Sequence, residues 1–277
     1  MAQVALEPRP YPPRSDLRLC TAGSRPLSII HPDDAPRVSI VIAAWDEEES
    51  LPYVLSRLPA GLHEVILVDG HSTDRTVEVA RELRPDIRIV EQPGHGKGDA
   101  LRAGFAATCG DIVIAIDADG STDPVEIPAF VGALLAGADY VKGSRFITGG
   151  GTDDMTLTRK IGNLGMMVLC RVLFGTRYSD LNYGYTGFWM RELSRLDLHS
   201  EGFEIETEMN LRAALARLKV VEVASFEGPR VGGVAHLDPV RDGWRVLIEI
   251  FRQRFRRTAP ALRRVTGTYT REAELPC

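Results

Sequence analysis

Lysine is scarce in this chain: Lys97, Lys142, Lys160 and Lys219 are the only four among 33 basic residues, and 38 acids leave a net charge of -5. A general nucleic-acid binder would carry a basic surplus, so that class is excluded as a partner. Cysteine is equally sparse. Cys20, Cys109, Cys170 and Cys277 lie far apart and form no C-x-x-C pair, which argues against structural zinc and a disulfide scaffold and for a reducing cytoplasm. Long apolar runs are missing too. The longest stretch without a charged residue, Ile127 to Ala138, is too short to span a bilayer. The first residues lack the basic-then-apolar layout of a secretory signal. The expected location is the cytoplasm, with the inner face of the plasma membrane open to it.

What is present is enough for one large α/β domain: 277 residues, 44% hydrophobic and 26% charged. Residues 1–36 hold seven of the 17 prolines and show no apolar periodicity, so they are expected to form an irregular arm. Residues 37–238 carry the domain, and 239–277 a basic C-terminal helix and tail. Short β-branched runs predict strands at Val38–Ala43, Glu64–Asp69, Ile87–Val90, Asp111–Asp117 and Asp139–Lys142. Helices are expected between them: one capped by Ser72 or Thr73 and running to Leu83 with Val77, Ala80 and Leu83 on one face, one over Gly98–Thr108, and one started by Asp123-Pro124. Further on come a helix over Leu157–Phe174, a strand over Tyr183–Met190, a helix over Glu206–Leu218, a strand over Lys219–Ala224 and a helix over about Pro239–Arg257. This alternation predicts a mainly parallel sheet covered on both faces.

Ligands bind such sheets outside the carboxyl ends of the strands, and polar residues collect there. The ends read Trp45-Asp46-Glu47-Glu48-Glu49, Asp69-Gly70-His71-Ser72, Asp117-Ala118-Asp119-Gly120 and Gly143-Ser144-Arg145. Like charges at three strand ends repel, and a hard cation such as Mg²⁺ or Mn²⁺ would reconcile them, since it takes carboxylate, phosphate and water oxygens. Taken alone, Asp119-Gly120 could equally be a turn and Asp117 a capping acid. Gly94-His95-Gly96-Lys97-Gly98-Asp99 opens a helix, so its amides and Lys97 could face an anion, or the loop is a plain turn. It lacks the spacing of a P-loop, and no G-x-G-x-x-G follows the first strand.

Together these segments resemble family 2 glycosyltransferases of the GT-A fold, above all the dolichyl- or polyprenyl-phosphate mannose and glucose synthases, over about residues 37–257. Val38–Ser50 (VSIVIAAWDEEES) is similar to that family's first strand and P-x-Y-N-E segment, and Val68–Thr76 (VDGHSTDRT) to its V-D-D-x-S-x-D-x-T. Gly96-Lys97-Gly98, Asp117–Asp119, Gly143–Arg145 and Ser179–Glu192 (SDLNYGYTGFWMRE) resemble its G-K-G, D-A-D, G-S-R and D-x-x-S-G-F-R-x-F-x-R-E blocks. The resemblance implies an inverting, metal-dependent transfer of a hexose from a nucleotide-diphosphate sugar, UDP-glucose ahead of GDP-mannose, to a polyprenyl phosphate. It implies that Ala43, Trp45 and Glu47 border base and ribose, that Asp69 bonds the base, and that Lys97 lies in the donor loop. Asp117 and Asp119 would hold the metal and diphosphate, and Arg145 and Arg159 would meet phosphate. The chain departs from the family at Ala43 for proline, Asp46 for asparagine and Gly70 for a second aspartate. Gly233-Val234-Ala235-His236 stands where G-x-S-K is expected, so His236 replaces a phosphate-binding lysine.

A phosphate acceptor needs no strong base, whereas a hydroxyl acceptor does, with Asp153, Asp180, Glu204 and Glu206 as candidates and Asp180 and Glu206 foremost. Glu204 and Glu206 read equally as first-turn helix acids. The alternatives are a soluble hydroxyl acceptor, such as a natural-product or osmolyte precursor, or a sugar nucleotidyltransferase. The latter would carry a glycine-rich basic loop where Trp45-Asp46-Glu47-Glu48 stands. From Arg241 to Arg264 eight arginines face Asp242 and Glu249, beside Trp244, Leu247, Ile248, Phe251 and Phe255 at helical spacing. The apolar stripe is expected to pack on the domain and the arginines of 252–264 to touch a membrane surface peripherally. A homodimer is the other partner left open.

Overall fold

The computed structural model describes residues 35–233 and 239–256; the proline-rich arm, His236 and residues 257–277 lie outside them. The described residues from Pro36 onward form one compact unit. Its main sheet comprises β1 (Val38–Ala44), β2 (Glu64–Asp69), β3 (Arg88–Glu91), β4 (Ile112–Asp117), β5 (Tyr140–Ser144), β7 (Thr186–Trp189) and β8 (Val220–Ala224). Their spatial order is β3-β2-β1-β4-β7-β5-β8, with β6 (Gly151–Thr152) and β9 (Phe226–Glu227) as a separate parallel pair. Only β7 among the seven runs antiparallel, to β4 and β5. Every expected strand is present, with ends shifted by a few residues.

The β-branched runs alternate between two layers, as the strand period of two requires. Ile40 and Ile42 join Val65 and Leu67 on the face covered by α1 (Leu51–Ser56) and α4 (Ile127–Leu135). Val41 joins Ile66, Val68 and Val113 on the face covered by α3 (Lys97–Ala107) and α7 (Ile205–Leu215). Gly104 lets α3 approach the sheet, since a Cβ there would lie 2.4 Å from Val41 Cγ1. A third apolar cluster joins α5 (Leu157–Phe174), α7 and α8 (Pro239–Phe255) through Cys170, Leu211, Val246 and Ile250. A short α6 (Leu193–Leu196) precedes α7.

Three local expectations are corrected. The helix α2 (Thr76–Leu83) starts after Arg75 and is not capped by Ser72 or Thr73. Those side chains turn instead to Asp46, whose N–H donates to Ser72 Oγ at 3.0 Å and whose Oδ1 accepts from Thr73 Oγ1 at 3.3 Å and from the Thr73 N–H at 2.6 Å. Leu83 is exposed, because the inner side of α2 is set by Thr76 and Ala80. On α8, Trp244, Ile248, Phe251 and Phe255 point to solvent while Val246 and Ile250 face the domain, so the recognised stripe does not pack inward. Asp123 does accept from Val125 N–H at 3.0 Å, capping the 3₁₀ turn Pro124–Glu126 that leads into α4. Cys170 is a buried thiol.

Candidate active site

A cleft of about 620 Å³ opens at the carboxyl ends of β1 and β4. The two strands pair in parallel with Ala43 beside Asp117, so their polar extensions emerge at one level. Ala43, Trp45 and Glu47 line one wall, with Gly70 just past β2, while Asp117 and Asp119 lie on the floor. Trp45 is half exposed. Asp69 ends β2 at the level of Ala44, and its carboxylate accepts the Ser72 N–H at 3.3 Å.

Lys97 stands in the first turn of α3 and reaches across the floor. Its Nζ lies 2.6 Å from Asp117 Oδ1 and 2.5 Å from Glu206 Oε1, in the first turn of α7. Burial alone would lower the lysine pKa, but the two carboxylates outweigh it and hold Lys97 above its usual value. Glu206 is raised above the usual carboxylate range, first by burial and then by Asp117, with Lys97 opposing. Gly184 leaves room for this triad: a Cβ there would come within 2.7 Å of Asp117 Oδ2 and 2.8 Å of Lys97 Nζ. Three amides of the Gly94–Asp99 loop, a segment that could have been an anion cradle or a plain turn, are spent on the protein itself. Gly98 and Asp99 N–H both donate to Glu201 O, at 2.8 and 3.2 Å, and Gly94 N–H donates to Asp99 Oδ2 at 2.7 Å. His95, Gly96 and Lys97 are the parts of the loop that line the cleft, and Lys97 alone of them brings a charge.

Arg145, just past β5, is buried and its guanidinium is engaged on every nitrogen. Nε and Nη2 grip the two Asp180 oxygens at 2.7 and 2.9 Å, Nη1 donates to Glu227 at 2.9 Å, and Nη2 also donates to Asn182 O at 2.9 Å. Asp180 is wholly buried. Burial would raise its pKa, yet the Arg145 bonds prevail and hold it below the usual range. A carboxylate so placed is a poor proton acceptor, so the structure disfavours Asp180 as the expected base. Arg159 lines the cleft from the first turn of α5 and pairs with Asp154 at 3.0 Å. Asp153 and Glu204 do not line it.

Arg230 was not singled out by sequence reading, although the Gly228-Pro229-Arg230 turn after a strand end could have drawn notice. It crosses the cleft, donating to the Glu47 carboxylate through Nη2, to Asp119 Oδ2 at 3.2 Å through Nη1 and to Gly232 O at 2.6 Å through Nε. Burial raises the Glu47 pKa, with Ser50 and Arg230 pulling the other way. Val231 N–H donates to Asp119 O at 2.9 Å, and Gly120 at φ +76° passes under Val231 where a Cβ would clash at 2.5 Å from Cγ2. Sequence gave no sign that this distant segment returns to the D-A-D turn.

Among the described residues no three His, Cys, Asp or Glu side chains converge as a metal cage. The donor set still fits Mg²⁺ or Mn²⁺, because these ions are commonly held by one or two carboxylates together with substrate phosphates and water. Asp117 and Asp119 supply the carboxylates, both partly open to the cleft. Their present cationic partners, Lys97 and Arg230, show that the site is built to balance charge of both signs.

The mainly parallel sheet, with its one reversed strand and a polar cleft at the β1 and β4 ends, is that of the GT-A glycosyltransferases. The family model for glycosyl transferase family 2 matches residues 39–197, and the chain belongs to that family. Glycosyltransferase AglJ of Haloferax volcanii is 31% identical over 219 residues, covering 78% of this chain and 71% of that one. An undecaprenyl-phosphate mannosyltransferase of Micrococcus luteus is 31% identical, covering 68% and 82%. Among solved structures, glucosyl-3-phosphoglycerate synthase of Mycobacterium tuberculosis, in complex with Mn²⁺, UDP-glucose and phosphoglyceric acid, aligns with a TM-score of 0.62 at 26% identity, covering 79% of each chain.

Proposed function

We propose that this glycosyltransferase moves a hexose from a nucleotide-diphosphate sugar, UDP-glucose before GDP-mannose, to a polyprenyl phosphate. One observation carries the acceptor class: every carboxylate lining the cleft is ion-paired. Glu47 and Asp119 pair with Arg230, Asp117 and Glu206 with Lys97, Asp154 with Arg159 and Glu227 with Arg145. A hydroxyl acceptor needs a carboxylate free to take its proton, whereas a phosphate monoester arrives already anionic and is drawn by the same cations. The polyprenyl-phosphate relative and the UDP-glucose-bound structural neighbour support the two halves of this reading.

In this mechanism the half-exposed Trp45 ring offers a flat face to the base, and Glu47 lies within reach of the ribose. Asp117 and Asp119 would hold the divalent ion, which when bound would offset the negative charge growing on the leaving diphosphate. Arg230 is the mobile charge: as the diphosphate enters, it keeps Glu47 and exchanges Asp119 for a phosphate oxygen. Arg159 receives the acceptor phosphate, and His236 is proposed to donate to it in place of lysine. Asp180 acts by positioning Arg145. An acceptor phosphate oxygen attacks the anomeric carbon opposite the departing nucleotide, forming the C–O bond of a glycosyl phosphate as the bond from sugar to diphosphate breaks and the nucleoside diphosphate leaves. Thermal-shift titration tests the donor assignment. Nucleotide sugar with Mn²⁺ should raise the melting temperature of the native chain and leave Asp119→Ala unmoved, since a ligand stabilises only a state it binds. Equal shifts in both would defeat the metal role.

A further inference from the structure

Two neighbouring helices, α5 and α8, leave an unusual face uncovered. Along α5, Leu157, Ile161, Leu164, Val168 and Val172 are all more than half exposed, while Asn163 and Cys170 on the other side are buried. Along α8, Trp244, Ile248, Phe251 and Phe255 repeat the same 4-3-4 spacing and are likewise exposed. The helices pack on each other over Met166, Cys170, Val246 and Ile250, so the outward stripes run on adjacent elements. Nine large apolar side chains on one pair of helices exceed the scattered exposure that a soluble surface normally carries.

The charges on the same two helices are of one sign. Helix α5 contains no acid, and the two acids of α8, Asp242 and Glu249, are buried on its inner side. The exposed charges are Lys160, Arg171, Arg241, Arg245, Arg252 and Arg254, on a chain whose overall charge is -5. A second copy docking through this face would set cation against cation. An anionic bilayer instead matches both features, with the apolar stripes entering the headgroup boundary and the arginines meeting lipid phosphates. Among the described residues no helix is long and apolar enough to cross a membrane, so the attachment would be in the plane.

We infer that α5 and α8 together form an in-plane docking surface for an anionic lipid bilayer. Because Thr156 and Arg159 line the cleft at the start of α5, the surface adjoins the catalytic site. The inference stands whichever acceptor is used. Co-sedimentation of the full chain with phosphatidylcholine vesicles, with and without phosphatidylglycerol, tests it, alongside sedimentation velocity without lipid. Binding should require the anionic lipid and weaken with salt. It should fall roughly tenfold or more in Ile161→Glu/Val168→Glu and also in Ile248→Glu/Phe255→Glu, with both variants retaining the native nucleotide-induced thermal shift. Failure to bind anionic vesicles at low salt would overturn the inference, as would binding that responds to α8 substitutions alone. A dimer that the same substitutions dissociate would overturn it too, by assigning the face to a second copy.

Discussion

Asp180 and Arg145 are almost completely shielded from water, which makes their pairing both costly to form and costly to break. Removing one partner leaves a buried charge unmatched, so Asp180→Asn should lower stability by about 3–5 kcal/mol in urea titration. Asp119 is a contrasting case. It is partly exposed and shares Arg230 with Glu47, so Asp119→Ala should keep the fold and lose metal-dependent turnover. Arg230→Ala should raise KM for the nucleotide sugar and lower kcat/KM by roughly 10- to 100-fold, the range for one charge-assisted hydrogen bond. Steady-state kinetics with varied donor checks this, and an unchanged kcat/KM would remove Arg230 from the donor site. Asp117, Asp119 and Arg145 were legible because strands stop at or just before them, and Lys97 because its glycine loop opens a helix. Arg230 was not, because its role depends on a return of the chain across more than 100 positions that no local pattern announces.

At the level of elements, regular strands were easy to read and loops were not. A buried parallel strand writes itself as an unbroken β-branched run, as in Val38–Ala44 and Ile112–Asp117. The cap of α2 was misread because Ser72 and Thr73 satisfy Asp46 across 26 and 27 residues instead of their own helix. The inner face of α8 was misread because helical spacing alone does not say which stripe faces the protein; Val246 and Ile250 were overlooked beside the larger Trp244 and Phe251. The glycine loop shows the same limit. Its glycines serve close packing, since a Cβ on Gly98 would lie 2.3 Å from Ser200 O. Gly98→Ala should therefore cost about 1–3 kcal/mol, read as a lowered urea midpoint. Gly184→Ala should act differently, spreading the Lys97 triad and weakening donor binding with little loss of fold.

Across the whole molecule, titration pulls in two directions. Glu206, Glu47, Glu126 and Glu249 are raised above the usual 4.5, chiefly by burial. The folded state takes up those protons at higher pH than the unfolded chain, so their contribution to stability declines as pH rises through the folded values. Asp180, Asp74 and Asp99 are lowered despite burial, through Arg145, Thr76 and the Gly94 N–H respectively. Their contribution is complete above the usual 3.8 and disappears as pH falls through the folded values. Urea titrations across pH should thus peak on the mildly acidic side of neutrality and drop steeply below about pH 4. The proposed reaction joins a metal-assisted donor site to a phosphate acceptor. A radiolabelled sugar-transfer assay with UDP-glucose and Mn²⁺, offering polyprenyl phosphate and the matching polyprenol side by side, tests it most directly. Label should enter the phosphate alone, and a chelator or Asp119→Ala should abolish it. Label in the polyprenol without label in the phosphate, or transfer indifferent to the chelator, would contradict it.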